Sequence, residues 1–217
     1  MNHQCIIAAL AALGLLAAGC RGQSAPADSP GHADTAGKAA CFAHRLLSAG
    51  EFIGPLFMAV PEIVKPPAGY PTQWRKGPAA FGRLYGDALA LETVQQTSRF
   101  LTGLALHEDL RYYPAASGNP LRRTLHAVAF AAFDRSDSGR TTLAASNFLS
   151  AAAGGFVGNA YLPGGYNDTS HALTRMGLAF GFIVVQNVVD EFRPELRRLQ
   201  KTLHLPGRRD AAFGGGH

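Results

Sequence analysis

Three short polar stretches of this sequence contain the side-chain types that enzymes use for acid–base chemistry and metal binding. They are "HEDLR" at 107–111, "DRSDSGR" at 134–140 and "NVVDE" at 187–191. The first stretch stands at the end of a predicted helix, where adjacent residues point in different directions and cannot converge on a metal ion. We therefore expect Asp109 to pair with Arg111 or with another neighbour.

The second stretch partly follows the spacing of a calcium-binding loop. Asp134, Ser136, Ser138 and Gly139 occupy positions 1, 3, 5 and 6 of such a loop, but position 12 is Ala145. Because that position requires a bidentate glutamate, the spacing argues against calcium. Asp-Ser-Gly is typical of turns, so a structural turn is predicted here.

The third stretch places Asn187 and Glu191 four residues apart, and Gln186 and Asp190 likewise. Residues at this spacing share one face of a helix. One of the two pairs is expected to face inward and meet Arg99 or Gln96 of a preceding long helix. It would form either a buried polar network that fixes the helix register or a functional site.

The candidate polar cluster contains eight side chains from these stretches and from "GNAYLP" at 158–163: Asp109, Arg111, Asp137, Arg140, Asn159, Tyr161, Asn187 and Glu191. If Asp109, Arg111, Asp137 and Glu191 converge in a cleft, a hydrolase acting on envelope polymer or lipid is one interpretation. The sequence contains no nucleophile-elbow serine motif, phosphate-binding loop or dinucleotide fingerprint. We predict no metal, cofactor or nucleic-acid partner.

Helices are the elements expected to position these residues, because apolar periodicity and capping signals dominate and strand signals are weak. Pro78 is a favoured first helical residue, and Asn119 and Asp168 are favoured N-caps. The predicted helices lie within 41–60, from Pro78 to Leu106, and at 120–133, 143–161, 169–192 and 194–204. The expected fold is all-α, a compact bundle of five to six helices.

Glycine pairs four residues apart occur in three of the predicted helices, at Gly82 and Gly86, Gly154 and Gly158, and Gly177 and Gly181. Glycine inside a helix costs about 1 kcal/mol relative to alanine, so such positions indicate a need for space. Small residues at this spacing let helix backbones approach closely. We therefore expect these three helices to cross at short range.

The N-terminal segment is predicted to be an export signal. The first twenty residues, "MNHQCIIAALAALGLLAAGC", carry no charge and contain a short apolar run that ends in Ala17-Ala18-Gly19-Cys20. This ending resembles the lipobox of bacterial lipoproteins. The resemblance implies cleavage before Cys20, acylation of Cys20, and, with Arg21 following, the outer membrane facing the periplasm. An ordinary signal peptide with an incidental cysteine is the alternative.

Four motifs in the body, "HEDLRYYP", "RSDSGR", "GNAYLP" and "NVVDEFRPEL", resemble those of a family of uncharacterised bacterial envelope proteins. The resemblance spans about 50–196 and implies a shared fold and an envelope location, with no activity attached. It covers residues of all three polar stretches.

Charge and composition complete the expected organisation. The chain of 217 residues has a formal charge of +5, with many of its bases at 193–210, where anionic lipid or envelope polymer could bind. Predicted segments are the signal 1–19, the lipidated Cys20 and tether 20–40, a helical domain 41–205 and a tail 206–217. Cys41 is then the single thiol of the folded domain, either buried or exposed.

The expected function is that of a lipid-anchored envelope protein with a structural, scaffolding or binding role. An envelope hydrolase and a helical component embedded in the membrane are the alternatives, and whether the protein is an enzyme stays open. The embedded interpretation arises because 143–162 carries no charge and is just long enough to span a bilayer.

Overall fold

The computed structural model describes residues 35–47, 49–64, 69–115 and 117–202. Cys20, the predicted signal, the predicted tail and most of the predicted tether lie outside these ranges. The described chain forms eight α-helices and one small sheet. Their bounds are α1 Thr35–Leu46, α2 Ala49–Val64, α3 Thr72–Arg75, α4 Pro78–Ala105, β1 Glu108–Asp109, α5 Pro120–Ala132, β2 Phe133–Ser136, β3 Thr141–Leu143, α6 Ala145–Val157, α7 Thr169–Glu191 and α8 Arg193–Thr202.

The all-α prediction is confirmed, and the predicted helix boundaries agree closely with α4 to α8 because capping is local. Pro78 is the first residue of α4. The Asn119 side chain accepts a hydrogen bond from the Leu121 amide at 2.9 Å, and Asp168 accepts one from the Ser170 amide at 2.8 Å. Each cap satisfies an amide that the first helical turn leaves without a partner.

The N-terminal part of the fold is more helical than predicted. Helix α1 begins at Thr35, inside the segment expected to be a tether. Tertiary contacts explain the difference, since Phe42 stacks on Phe100 of α4 with ring centroids 4.4 Å apart. The Lys38 ammonium also donates to the Gly103 carbonyl of α4 at 3.4 Å. The side chain of Cys41 lies outside the described part of the structure.

A three-stranded antiparallel sheet takes the place of the predicted helix end and flanks the predicted turn with two strands. Helix α4 stops at Ala105, His107 adopts a left-handed φ of 54°, and the chain enters β1. Glu108 pairs with Ser136, and Phe133 pairs with Leu143. Strands of two to four residues are too short to show alternating hydrophobicity, which is why the sequence reading placed Glu108 on a helix.

Helix α6 lies at the centre, packed against α4 on one side and α7 on another. A Cβ atom on Gly154 would lie 3.3 Å from the Leu91 carbonyl oxygen of α4. A Cβ on Gly155 would lie 2.5 Å from the Met176 backbone nitrogen of α7, which is closer than atoms can approach. Because neither glycine has a side chain, the backbones of α4 and α7 can both lie close to the backbone of α6.

The predicted contacts at the other two glycine pairs are wrong. An added Cβ at Gly82, Gly86, Gly177 or Gly181 would meet no atom within 4 Å. The third predicted pair, Gly154 and Gly158, does lie in tight contacts, since a Cβ on Gly158 would be 2.7 Å from the Leu162 side chain and 3.1 Å from that of Arg175 on α7. Helix α6 packs on both other helices, and the close backbone approach is made by Gly154 and its neighbour Gly155. Adjacent residues point to different sides of a helix, which lets one short segment contact two neighbours.

Candidate functional site

Asp109 on β1 is held by the residues that follow it in the chain. Its carboxylate accepts bonds from Arg111 at 2.8 and 2.7 Å and from the Tyr113 hydroxyl at 2.5 Å. Burial by itself raises the pKa of Asp109, but these bonds outweigh it and leave the pKa below its usual range. Asp109 is therefore an ionised, fully engaged carboxylate, and the predicted pairing with Arg111 is confirmed.

The neighbouring carboxylate, Glu108, caps a helix that is distant in sequence. Its two oxygens accept bonds from the amides of Ala145 and Ser146 at 3.0 and 3.1 Å, in the first turn of α6. The residue before that helix, Ala144, has no side chain that could cap it. A carboxylate at a helix N-terminus also interacts favourably with the helix dipole. Glu108 thus links β1 of the sheet to the N-terminus of α6.

Asp134 on β2 is the buried carboxyl whose pKa departs most from its usual value. It is 1% exposed, and burial raises its pKa to about 7, with the charges of Asp109 and Glu108 adding to the rise and Arg99 opposing it. One carboxyl oxygen accepts from the Arg135 amide at 2.7 Å. The other has no hydrogen-bond partner among the described residues. Asp134 could hold a proton near neutral pH, but it is closed off from solvent.

Asp137 and Arg140 belong to the hairpin turn between β2 and β3, where the predicted turn is confirmed. Gly139 has a φ of +80°, and the Ser136 amide donates to the Arg140 carbonyl at 2.8 Å. The Asp137 carboxylate accepts from the Lys38 ammonium at 2.7 Å, so the turn is joined to α1. The Arg140 side chain is exposed and forms no ion pair in the described part of the chain.

Glu191, at the end of α7, is surrounded by donors. Tyr112 donates its hydroxyl at 2.7 Å, the Ala115 amide donates at 2.9 Å, and Arg123 of α5 donates at 2.8 Å. A second Arg123 nitrogen bonds the Glu191 carbonyl. Burial by itself raises the pKa of Glu191, yet these bonds outweigh it and the pKa is lowered. The site stabilises a permanent negative charge.

Asn187 lies one turn earlier on the same face of α7 and donates to the Ala127 carbonyl of α5 at 3.2 Å. The predicted inward pair is therefore Asn187 and Glu191. Its predicted partners on the long helix are wrong, because both residues bond to α5 and Glu191 also bonds to the segment before it. Helix α7 packs on α5 and α6, and α4 contacts α6 instead.

Asn159 and Tyr161 lie in a third place, where the chain leaves α6. The Arg175 guanidinium of α7 donates to the Asn159 side chain at 2.6 Å and to the carbonyls of Gly155 and Tyr166, both at 2.9 Å. Tyr161 donates its hydroxyl to Asp87 of α4 at 2.6 Å. Burial raises the pKa of Asp87, and the Tyr161 bond and the Arg175 charge act against it. These contacts hold the α6–α7 connection against α4.

The eight candidate residues thus fall into three groups: one at the sheet, one at the end of α7 and one at the end of α6. Apart from the exposed Arg140, the ionised side chains in these groups are occupied by ion pairs or hydrogen bonds, most of which join two parts of the fold. No set of three His, Cys, Asp or Glu side chains within the described ranges could hold a metal ion. The hydrogen bonds and ion pairs of these groups hold the helices and strands together.

The face of α7 opposite Asn187 and Glu191 is exposed and apolar. Its outward side chains carry no charge from Leu173 to Val185, and Leu178 is 67% exposed. Gly177 and Gly181 lie open on the same side. We call this surface the outer face of α7, formed by Leu173, Thr174, Gly177, Leu178, Gly181 and Val185. Large contiguous apolar surfaces on water-soluble proteins are commonly places where partners or membranes bind.

Comparison with known proteins adds no assignment. The chain matches no protein-family model, no curated protein and no solved structure. The resemblance to an envelope family therefore stays a prediction.

Sequence reasoning missed several residues that organise these groups. Lys38, Glu108 and Arg123 bond to elements far away in the chain, and no local pattern marks such pairings. Arg175 did carry a signal, because it is the one charge between Thr169 and Val189. A single charge in an apolar helix indicates a buried residue with dedicated partners.

Proposed function

We propose that this protein is a lipid-anchored scaffold of the cell envelope, held to the membrane through acylated Cys20 and assembling through the outer face of α7. The observation that carries the scaffolding role is that this face is apolar, uncharged and unpartnered within the described chain. A helix on the outside of a water-soluble bundle ordinarily turns a polar face to solvent. An apolar outward face is therefore best explained by a partner.

The partner we infer is a second copy of this chain. The chain carries a formal charge of +5, so two copies repel each other wherever their surfaces are basic. The outer face of α7 avoids that repulsion because it carries no charge. In a two-fold dimer the same patch faces itself, and the open positions of Gly177 and Gly181 allow two α7 backbones to approach closely.

The lipid anchor is tested by fractionating cells that express the wild type or Cys20→Ala, and by mass spectrometry of the mature N-terminus. The proposal expects acyl chains on Cys20 and a wild-type protein in the outer-membrane fraction. The variant is expected in the soluble periplasmic fraction. A mature N-terminus without acyl chains, with the wild type in the soluble fraction, would contradict the anchor.

Self-association is tested with Gly181→Leu in the unlipidated Cys20→Ala background, by sedimentation equilibrium. A leucine on the outer face of α7 blocks close backbone approach, so the dimer should dissociate. The matched control is Gly82→Leu on α4, a second exposed helical glycine with no atom within 4 Å of an added Cβ. The control should dimerise like the parent. A monomeric parent, or equal effects of both substitutions, would contradict the proposal.

A membrane-embedded component is the second candidate, and one observation favours it. Helix α7 is long and apolar enough to cross a bilayer by length and composition, and 22% of its most apolar 18-residue window is buried. The same fractionation separates the candidates. If Cys20→Ala stays in the membrane fraction and resists extraction with alkaline buffer, α7 is embedded and the outer face meets lipid.

A further inference from the structure

A second apolar surface lies on α5 and the hairpin, and its character differs from the outer face of α7. Leu121, Leu125 and Val128 are exposed at spacings of four and three residues, so they share one side of α5. Helix α5 leads directly into β2, where Phe133 is 55% exposed and its cross-strand partner Leu143 is 56% exposed. We call these five residues, together with Arg122, Arg135 and Arg140, the α5–hairpin surface.

This surface is basic. The segment from Asn119 to Phe133 contains no acidic residue, and Arg122, Arg135 and Arg140 are exposed. The carboxylates nearest in sequence are not available to neutralise these three arginines. Asp134 is buried, and Asp137 is paired with Lys38. Arg135 stacks over the Tyr113 ring at 4.8 Å, which leaves its charge intact, and none of the three arginines pairs with a carboxylate in the described chain. Large apolar side chains beside arginines of this kind are the combination that binds an anionic membrane surface.

The hairpin also lies beside the point where the N-terminal segment enters the fold. Lys38, four residues into the described chain, bonds to Asp137 of the hairpin turn. Fourteen residues, 21–34, separate Cys20 from the start of α1. Even a fully extended segment of that length reaches only about 50 Å. An acyl chain on Cys20 would thus keep the domain close to the bilayer, with the tether attached at this end of the molecule.

We propose that the α5–hairpin surface rests on anionic phospholipid, with its apolar side chains in the head-group region and its arginines on lipid phosphates. The inference builds on the proposed lipid anchor and adds a specific orientation of the domain on the membrane. It assigns the two apolar surfaces different occupants on the basis of charge. The uncharged outer face of α7 meets its own copy, and the basic α5–hairpin surface meets an anionic bilayer.

The experiment uses the unlipidated mature chain, Cys20→Ala, so its outcome does not depend on acylation. Sedimentation with vesicles measures binding to pure phosphatidylcholine and to vesicles containing phosphatidylglycerol. Binding is expected to the anionic vesicles and should weaken as salt is added. Replacing Arg122 and Arg140 by glutamine should weaken it about 20- to 30-fold, since each base near an anionic surface contributes about 5-fold.

Two controls make the test specific. Arg197→Gln with Arg198→Gln removes the same charge from exposed positions on α8 and should change binding less than 5-fold. Leu125→Ser with Phe133→Ser keeps the charge and should also weaken binding, while circular dichroism and thermal unfolding confirm that the fold is retained. The proposal is overturned if the parent binds neither vesicle. It is also overturned if the α8 pair has the larger effect, or if Leu178→Ser on α7 weakens binding as much as Leu125→Ser with Phe133→Ser.

Discussion

The two faces of helix α7 differ in where their polar and apolar side chains lie. Its inner face carries Asn187 and Glu191, both buried and hydrogen-bonded to α5 or the segment before it. Its outer face carries Leu178 and Val185, both more than half exposed. The inner face also buries Ile183, so both faces of the helix are apolar and the polar partners are confined to the inner one.

The inner face is stable because its polar groups have dedicated partners. A buried carboxylate without partners costs several kcal/mol, whereas one that accepts several bonds keeps its charge. Glu191 accepts bonds from Tyr112, Ala115 and Arg123. The outer face has no comparable partners within the described chain.

The largest expected effect on stability is at Glu191, on the inner face of α7. Glu191→Ala should lower the free energy of unfolding by about 3–5 kcal/mol, because it removes a buried carboxylate that accepts three hydrogen bonds, from Tyr112, Ala115 and Arg123. Urea denaturation followed by circular dichroism measures the change. Glu195→Ala removes the other, half-exposed carboxylate that pairs with Arg123 and should lose much less. Equal losses would mean that the inner network is not the stabilising element.

The apolar residues of the two faces give the next largest contrast. Ile183 is 3% exposed, so Ile183→Ala should lower the free energy of unfolding by roughly 2–4 kcal/mol through lost burial and a cavity. Val185 is 54% exposed, and Val185→Ala should change it by at most about 0.5 kcal/mol in the monomer. The pair is compared by chemical denaturation at low protein concentration. A large loss from Val185→Ala would show that the outer face is covered within the chain.

A pH titration examines Asp134, the buried carboxyl that lacks a partner for one oxygen. Because the folded pKa of about 7 lies above the unfolded value, the native state binds this proton more tightly. Its stabilisation is therefore present at low pH and lost as pH rises toward and past 7. From pH 5 to pH 8, Asp134→Asn should gain about 2–3 kcal/mol of unfolding free energy relative to the wild type. Parallel pH profiles for the two proteins would contradict the raised pKa.

The smallest expected difference is between Gly155, which lies against α7, and Gly177, which lies in open space on α7. Gly155→Ala forces a Cβ against the Met176 backbone and should lower the free energy of unfolding by about 1–3 kcal/mol. The melting temperature should fall accordingly. Gly177→Ala adds a methyl group in open space and should stabilise the helix by up to about 1 kcal/mol. Differential scanning calorimetry measures both. Destabilisation by Gly177→Ala would place an unrecognised contact on the outer face of α7.

Much of the fold was predictable from the sequence, because its signals are local. Asn119, Asp168 and Pro78 each set a helix start within one turn of their own position. The candidate groups were predictable only in part. The pairing of Asp109 with Arg111 spans two residues, but the cap that Glu108 provides for α6 joins residues 37 apart. No spacing rule connects such residues before the chain has folded.

The sequence by itself determined that the described body is helical, where most helices begin, and which residues of α7 share a face. Only the tertiary structure decided which of those faces turns inward. Helix α7 is apolar on more than one side, so periodicity gives it no unique orientation. The choice was made by contacts from elsewhere: the backbone of α6 at Gly155 and the Arg123 guanidinium of α5 at Glu191. Backbone approach and charge pairing act through space, and the order of residues along the chain does not encode them locally.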